Sequence, residues 1–325
     1  MSYAVRVYET GDTSVLKLEE VELTPPAVGE VLIRHTAIGL NFIDTYFRSG
    51  IYPPPQLPFT PGTEAAGIVD AVGKGVIGIE VGDRVVCASP PLGAYSEYRL
   101  MPSSRVVKLP DYIDDRVAAA ITLKGMTAHY LLAKTFKVEK NTTILLHAAA
   151  GGVGLIACQW AKYLGAKIIG TVGSNDKADL AQSHGCDHTI LYREENFVSR
   201  VKELTDGEGV DVVYDSVGKD TFLSSLDCVK PTGMVVLFGQ SSGPVEPINP
   251  QLLSAKGSLF LTRPTLNDYT NRREDLDEIA SSLFNAIKKE VVKADINQEY
   301  SLREVASAHA DLESRQTTGA TVLIP

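Results

Sequence analysis

The sequence is poor in cysteine and has no excess of positive charge. Its four cysteines lie far apart and form no C-x-x-C pair, so we expect no disulfide framework and a reducing compartment, the cytoplasm. A formal net charge of −9 argues against a general surface for nucleic acid or anionic membranes, which would need a basic face. No apolar run reaches the roughly 18 residues of a membrane helix, and the first residues do not have the pattern of a signal peptide.

Histidine and cysteine are also missing from the spacings that bind metal ions. Only His184 and His188 stand four positions apart, and Gly185 between them is expected to end a helix. The sequence therefore predicts no metal site.

The character of the chain changes near residue 110. Before it, short runs rich in β-branched residues predict strands at residues 3–8, 31–38, 65–72 and 84–88, with a short helix at 41–48. After it, Asp114 and Asp115 are positioned to cap a helix over residues 118–136.

From residue 142 the pattern alternates between strand and helix. The predicted strands are 143–148, 167–172, 189–191, 210–215 and 234–238, and the helices between them are 152–164, 176–184, 197–205 and 222–229. Apolar strands separated by amphipathic helices predict an α/β fold with a doubly wound parallel sheet. Further on, helices at 275–289 and 302–312 and strands at 296–300 and 320–324 are expected.

The strongest motif lies at residues 144–161, where an apolar strand enters a turn of small residues and a helix follows. Gly151, Gly152 and Gly154 are spaced so that backbone N–H groups can approach a pyrophosphate at the helix N-terminus. Ala149 occupies the first position of the G-x-G-x-x-G pattern, which is a mild departure. The context of strand, turn and helix predicts a dinucleotide site.

The end of the next strand bears on the choice of dinucleotide. An NAD enzyme places Asp or Glu there, about 20 residues after the glycines, on the ribose hydroxyls. Here Gly173 and Ser174 end the strand, no carboxylate would repel a 2′-phosphate, and Lys177 follows one turn later. This favours NADPH, although Lys177 also fits a solvated helix residue.

Four segments carry a resemblance to a known family. They are NFIDTYFRSGIYP at 41–53, PGTEAAG at 61–67, HAAAGGVG at 147–154 and VYDSVG at 213–218. In order and sequence they resemble the zinc-free quinone oxidoreductases, the zeta-crystallin-like branch of the medium-chain dehydrogenase/reductase superfamily. The resemblance covers nearly the whole chain. It implies a Rossmann domain at 125–263 that binds NADP, inserted into a β-rich, GroES-like substrate domain at 1–124 and 264–325.

Departures from the alcohol dehydrogenases of that superfamily concern zinc. Those enzymes hold catalytic zinc with a cysteine near the position of Asn41 and a histidine where this chain has Thr63, and their structural zinc lobe has no counterpart here. Without a Lewis acid, an unactivated alcohol is difficult to oxidise, whereas an electron-poor acceptor such as a quinone needs no such help.

The resemblance also implies the residues of the site. Asn41, Tyr46 and Tyr52 are the candidates for contacting or orienting the substrate, and Tyr46 is expected near the cofactor as well. The other residues expected at the cofactor are Phe42, Tyr130, Gly151, Gly152, Val153, Gly173, Ser174, Lys177, Tyr192, Ser216, Phe238, Gly239, Gln240, Ser241, Arg263, Pro264, Thr265 and Arg315. For the tyrosines, packing in a core with a satisfied hydroxyl is an equally common role.

The expected function is therefore an NADPH-dependent reductase of quinones that acts without metal. Two alternatives stay open: a reductase of enones or other activated alkenes, and a protein that binds NADPH in a crystallin-like or RNA-binding role. An apolar stretch at residues 256–263 predicts an exposed sheet edge, which together with the resemblance favours a homodimer.

Overall fold

The strands form three sheets in the computed structural model, which describes residues 1–325. The strands are β1 (Ser2–Arg6), β2 (Lys17–Val21), β3 (Glu30–Leu40), β4 (Glu64–Val72), β5 (Arg84–Ala88), β6 (Tyr98–Pro102), β7 (Val107–Lys108), β8 (Thr143–Leu146), β9 (Lys167–Val172), β10 (His188–Leu191), β11 (Val210–Asp215), β12 (Val229–Leu237), β13 (Phe260–Thr262), β14 (Ile296–Ser301) and β15 (Ala320–Ile324).

Ten α-helices connect or cover these strands. They are α1 (Phe42–Ser49), α2 (Asp115–Tyr130), α3 (Gly152–Tyr163), α4 (Asn175–Ser183), α5 (Phe197–Leu204), α6 (Phe222–Ser225), α7 (Gln251–Ala255), α8 (Leu266–Tyr269), α9 (Arg273–Lys288) and α10 (Val305–Glu313). None combines the length and apolar character needed to cross a membrane.

The chain divides into two compact units. The first unit comprises Met1–Met126, Thr270–Lys288 and Ala294–Pro325, and the second comprises Thr127–Tyr269 and Lys289–Lys293.

The second unit is built on a six-stranded sheet in the order β10-β9-β8-β11-β12-β13, with every pair parallel. From β8 the chain first continues to β9 and β10 on one side, and β11 then begins the other side of the sheet. The carboxyl ends of β8 and β11 therefore flank a topological switch point, where open α/β sheets bind ligands. The core of this unit packs Leu145, Ile169, Val213 and Val235 from the strands against the helices. The predicted doubly wound α/β sheet is confirmed.

The first unit is β-rich, as predicted. A seven-stranded sheet runs β14-β15-β3-β4-β5-β7, β6 pairs with the long strand β3, and β1 and β2 form a separate pair. Strand β15 lies antiparallel to β3, with Val322 opposite Gly39. The last strand of the chain therefore belongs to the same sheet as the early strands.

Several predicted elements are wrong in extent, and four of them differ by four or more residues at one end. The strand expected at 234–238 begins already at Val229. The helix expected at 222–229 ends at Ser225, because Val229 is already extended and paired with Val210 as the first residue of β12. The helix expected at 118–136 ends at Tyr130 and continues as a π-helical turn, Leu131–Thr135. The strand expected at 256–263 is only Phe260–Thr262, because Lys256 still caps α7.

A chain of buried polar groups links α1 to α10 in the first unit. The Tyr95 hydroxyl donates to Asp44 Oδ2 at 2.9 Å and lies 2.9 Å from His309 Nε2. Since that hydroxyl has one proton to donate, His309 carries its proton on Nε2 and presents Nδ1 to the Arg48 guanidinium, 3.5 Å away. Arg48 in turn makes two hydrogen bonds to Glu313, at 2.8 and 2.7 Å.

Burial shifts the pKa values of Asp44 and His309 in opposite directions. Burial raises the pKa of Asp44 to about 6. Burial, together with the positive charge of Arg48, lowers the pKa of His309 to about 3. His309 is thus neutral at pH values where an exposed histidine is protonated.

We predict that His309→Gln flattens the dependence of stability on pH. In the unfolded chain His309 binds a proton below about pH 6.5, but in the folded chain it binds one only near pH 3. The stability that His309 contributes is fully present above pH 6.5. It is lost as the pH falls from about 6.5 to about 3, at about 1.4 kcal/mol per pH unit for one proton. Denaturant unfolding from pH 4 to 6 should give a slope smaller by about that amount in the variant. Parallel curves for the two proteins would contradict the assignment.

Candidate functional site

The turn from β8 into α3 exposes backbone donors. Ala148 has a left-handed φ of 55°, and Gly151 begins the helix with no side chain capping it. Thus the first N–H groups of α3, which have no partner within the helix, are available to an anion. At Gly154 a Cβ would overlap the Ala148 carbonyl oxygen and lie 2.6 Å from that of Ala149, so glycine is required there.

His147 connects this turn to neighbouring elements through buried hydrogen bonds. The imidazole is fully buried, with Nδ1 2.9 Å from Thr171 Oγ1 and Nε2 3.0 Å from Ser225 Oγ. Ser225 donates onward to Asp215 Oδ2 at 2.9 Å. These bonds tie together the carboxyl ends of β8, β9 and β11. They fix the turn relative to its neighbouring strands.

The end of β9 brings together four residues that the sequence predicted at a 2′-phosphate. Gly173 follows β9, and Ser174 caps α4 by accepting from Lys177 N at 3.4 Å. A Cβ at Gly173 would lie 3.2 Å from the Tyr192 hydroxyl, so the tyrosine closes the other side of this strand end. No aspartate or glutamate occupies the strand end itself.

Arg193 lies at the same place and was not among the predicted residues. Its Nε would be 3.5 Å from a Cβ on Gly173. No spacing rule points to it, because it reaches Gly173 through the pairing of β10 with β9.

The ends of β11 and β12 form a second group. Ser241 N donates to the Ser216 carbonyl at 3.1 Å, and Phe238 N donates to the Asp215 carbonyl at 2.8 Å. Gly239 is packed so closely that a Cβ would lie 2.6 Å from the Ser216 carbonyl oxygen. The predicted residues Ser216, Phe238, Gly239, Gln240 and Ser241 therefore lie together beside the switch point.

The remaining predicted residues of the second unit lie near β13 and the π-helical turn. Arg263, Pro264 and Thr265 follow β13, and Thr265 Oγ1 donates to Asp268 at 3.0 Å. Tyr130, at the start of the π-helical turn, is buried and stacks on Tyr269 with ring centroids 4.5 Å apart. One face of the Tyr130 ring is thus covered by another aromatic ring.

In the first unit, Asn41 is fixed by a buried ion pair. Its Nδ2 donates to Glu64 Oε2 at 2.9 Å, and Lys124 Nζ lies 3.3 Å from the same oxygen. Glu64 Oε1 also accepts from Leu123 N at 2.6 Å. The orientation of the Asn41 amide is therefore set by a carboxylate that is itself held in place.

Thr63, like Asn41, donates a hydrogen bond to a buried carboxylate. Its hydroxyl donates to Asp44 Oδ1 at 2.9 Å, and Asn41 N donates to Asp44 Oδ2 at 2.9 Å. Asp44 is thus surrounded by donors, which act against the rise that burial causes in its pKa.

Three aromatic residues at α1 complete the set in this unit. The rings of Tyr46 and Tyr52 meet edge to face at 5.3 Å, and those of Phe42 and Tyr46 are 6.4 Å apart. Tyr46 is buried and Tyr52 half-buried. Arg315 is exposed just after α10, with a φ of 61°.

The residues at the positions of the zinc ligands do not suit zinc. Asn41 directs its amide N–H to Glu64, and Thr63 directs its hydroxyl to Asp44, whereas zinc sites use cysteine, histidine or carboxylate ligands. No group of three or more His, Cys, Asp and Glu side chains is arranged to hold a metal ion.

Comparison with known proteins is consistent with this arrangement. Residues 27–111 match the family described as the alcohol dehydrogenase GroES-like domain, and residues 152–284 match the zinc-binding dehydrogenase family. The chain is 52% identical over 325 residues to a quinone oxidoreductase of Pseudomonas aeruginosa, covering 100% of both chains. The chain belongs to the quinone oxidoreductase family.

Two further relatives bear on the chemistry of this family. The crystal structure of Escherichia coli quinone oxidoreductase complexed with NADPH is 50% identical and has a TM-score of 0.98, with 99% of this chain and 100% of that chain covered. A 2-haloacrylate reductase of a Burkholderia species is 46% identical, with 100% of this chain and 99% of the relative covered.

We predict that Gly154→Ala destabilises the second unit. The added methyl group would overlap the carbonyl groups of Ala148 and Ala149, and forcing extra atoms into a packed site typically costs about 1–3 kcal/mol. Gly151→Ala is the matched control, since its Cβ would meet only one carbonyl oxygen, at 3.2 Å. Denaturant unfolding should show the larger loss for Gly154→Ala. Equal losses would mean that close packing is not the reason for the glycine.

Proposed function

We propose that this chain is an NADPH-dependent quinone reductase that works without metal. The observation that carries the proposal is full-length similarity, at about half identity, to a quinone oxidoreductase whose structure contains NADPH. The first unit supplies the substrate side and the second unit the nucleotide site. Four unpaired, buried cysteines agree with a protein of the reducing cytoplasm.

The second unit has the features that NADPH would need. The uncapped first turn of α3 offers the backbone of Gly151, Gly152 and Val153 to the pyrophosphate. The end of β9 offers Ser174, Lys177 and Tyr192 to the 2′-phosphate, and Gly173 places no carboxylate there to repel it. Ser216 and residues 238–241 line the neighbouring strand ends. Arg263, Pro264, Thr265 and Tyr130 in this unit, and Phe42 and Arg315 in the first unit, remain assigned to the cofactor by family resemblance.

When bound, NADPH supplies a hydride, and the protein supplies position and electrostatics. Asn41 is held by Glu64, which is itself paired with Lys124, so its amide is fixed before any substrate arrives. Tyr46 and Tyr52 form an aromatic pair that suits a flat acceptor. A tyrosine hydroxyl or water can provide the proton that a hydroquinone oxygen takes up.

Activated alkenes are a second candidate substrate class. The specific reason is the 46% identity to a 2-haloacrylate reductase over the full length of this chain. Quinones and haloacrylates are both electron-poor, so neither needs a Lewis acid to accept a hydride.

The test is NADPH oxidation against a panel of ortho- and para-quinones, alkenones and 2-haloacrylates, under anaerobic conditions with radical detection. We expect the highest kcat/KM for a quinone, unchanged by prior treatment with a metal chelator. Turnover of alkenes alone would favour the second candidate. NADPH binding without turnover of any acceptor would refute the reductase proposal, and activity lost together with a stoichiometric metal would refute its metal-free form.

We predict that Lys177→Ala weakens NADPH binding and leaves NADH binding nearly unchanged. A charge-assisted hydrogen bond to phosphate contributes about 1.5–3 kcal/mol, which corresponds to a Kd raised roughly ten- to a hundredfold. The measurement is the Kd of each cofactor by calorimetry. Lys202→Ala, which removes an exposed lysine of α5, serves as the charge-matched control. An equal loss for both cofactors would place Lys177 outside the 2′-phosphate site.

We predict that Tyr46→Phe and Tyr52→Phe lower kcat/KM for quinones more than they change the Kd of NADPH. The two rings lie together at α1, and each hydroxyl is a polar group that an acceptor can contact. Steady-state kinetics and melting temperature should be measured on the same preparations. A lowered melting temperature with unchanged kcat/KM would assign both tyrosines to packing.

We also propose a homodimer formed through β13. This strand pairs only with β12 and ends the sheet, and Phe260 is 59% exposed on it. An exposed apolar edge strand is usually covered or paired, and a two-fold dimer pairs it with its own copy.

We therefore predict a mass twice the 35.0 kDa of the chain in light scattering at micromolar concentration. Phe260→Glu should shift the population toward monomer by placing charge on the edge. Leu223→Glu, at a similarly exposed apolar residue of α6, should leave the dimer intact. A wild-type protein of monomer mass would contradict the prediction.

A further inference from the structure

The pairing of β10 with β9 brings Arg193 to the carboxyl end of β9. Strands β9 and β10 run parallel, with Leu191 opposite Val172, and Tyr192 N donates to the Val172 carbonyl at 3.2 Å. The two chains therefore leave the sheet side by side. Arg193 follows β10 just as Ser174 follows β9.

The Arg193 side chain lies over this strand end. Its Nε would be 3.5 Å from a Cβ on Gly173, and its guanidinium carbon is 6.0 Å from the centroid of the Tyr192 ring. The guanidinium donors thus border the space that the missing glycine side chain leaves. Because the residue is exposed, its charge remains accessible to a ligand from solvent.

Glu195, an acidic residue two positions after Arg193, has other partners than the Arg193 guanidinium. Glu195 is paired with Arg200 at 2.9 Å and also accepts from Leu191 N at 3.0 Å. The carboxylate of the following turn is thus directed to α5 and to the end of β10.

We infer that Arg193 is a second cationic specificity residue for the 2′-phosphate of NADPH, acting with Lys177. The inference rests on the proposed NADPH dependence. A guanidinium presents a planar fork of donors that matches phosphate oxygens two at a time, whereas an ammonium acts as a point charge. Arg193 is therefore expected to contribute both charge and geometry.

The experiment compares Arg193→Ala and Arg193→Lys with wild type and with Lys202→Ala. Lys202→Ala removes a positive charge from an exposed position of α5 and leaves the pair of Glu195 with Arg200 intact, so it controls for the general field of the protein. Calorimetry measures the Kd of NADPH, NADH and adenosine 2′-monophosphate, the last of which carries the 2′-phosphate without a nicotinamide.

We expect Arg193→Ala to raise the Kd of NADPH and of adenosine 2′-monophosphate by about tenfold, the effect of one charge-assisted contact. Arg193→Lys should recover part of the loss, and NADH should change by less than about twofold. Lys202→Ala should resemble wild type with every ligand.

Two results overturn the inference. If Arg193→Ala keeps the wild-type preference for NADPH, Arg193 does not contact the 2′-phosphate, and the proposed function stands. If wild type shows no preference for NADPH over NADH, the proposed cofactor choice fails, and the inference fails with it.

Discussion

An uncapped helix N-terminus is the constraint on which the second unit depends. The first turn of α3 keeps its N–H groups without a side-chain acceptor, so water or an anion accepts their hydrogen bonds. Everything around it keeps that turn in place: the left-handed Ala148, the close packing at Gly154, and the buried His147 between Thr171 and Ser225. The packing here therefore fixes a turn whose backbone N–H groups suit a phosphate group.

The first unit follows a comparable logic with side chains instead of backbone groups. Two buried carboxylates, Glu64 and Asp44, accept the hydrogen bonds of Asn41 and Thr63. Each carboxylate has several donors, so neither residue is left to rotate toward a metal ion. The superfamily scaffold is thus retained while the two ligand positions act as hydrogen-bond donors to the protein itself.

Local sequence pattern predicted the second unit well because its signals are local. The strand, turn and helix of the dinucleotide site lie within about 20 consecutive residues, and the strands β9 and β11 have the predicted bounds. The helix at 222–229 was overextended because the pairing of Val229 with Val210 is a tertiary effect. The strands β2, β6 and β7 were missed for a related reason, since short strands with mixed polarity have no clear period. The position of Arg193 beside Gly173 follows from the pairing of β10 with β9, and Tyr95 contacts His309 across 214 positions of the sequence. Neither contact has a local sequence signal.

The residues of the candidate site bear differently on the choice of cofactor and on the choice of acceptor. In the proposed function, the end of β9 selects the nucleotide, because it has no carboxylate to repel the 2′-phosphate that distinguishes NADPH from NADH. An acceptor that must only be flat or electron-poor is recognised through aromatic surface, and aromatic pairs such as Tyr46 and Tyr52 discriminate weakly between acceptors of similar shape. Relatives at 52% and 46% identity are accordingly named for quinones and for haloacrylates. In the proposed function, selectivity among acceptors therefore depends on the few side chains of the first unit assigned to the substrate, whereas cofactor choice depends on residues at the ends of the parallel strands.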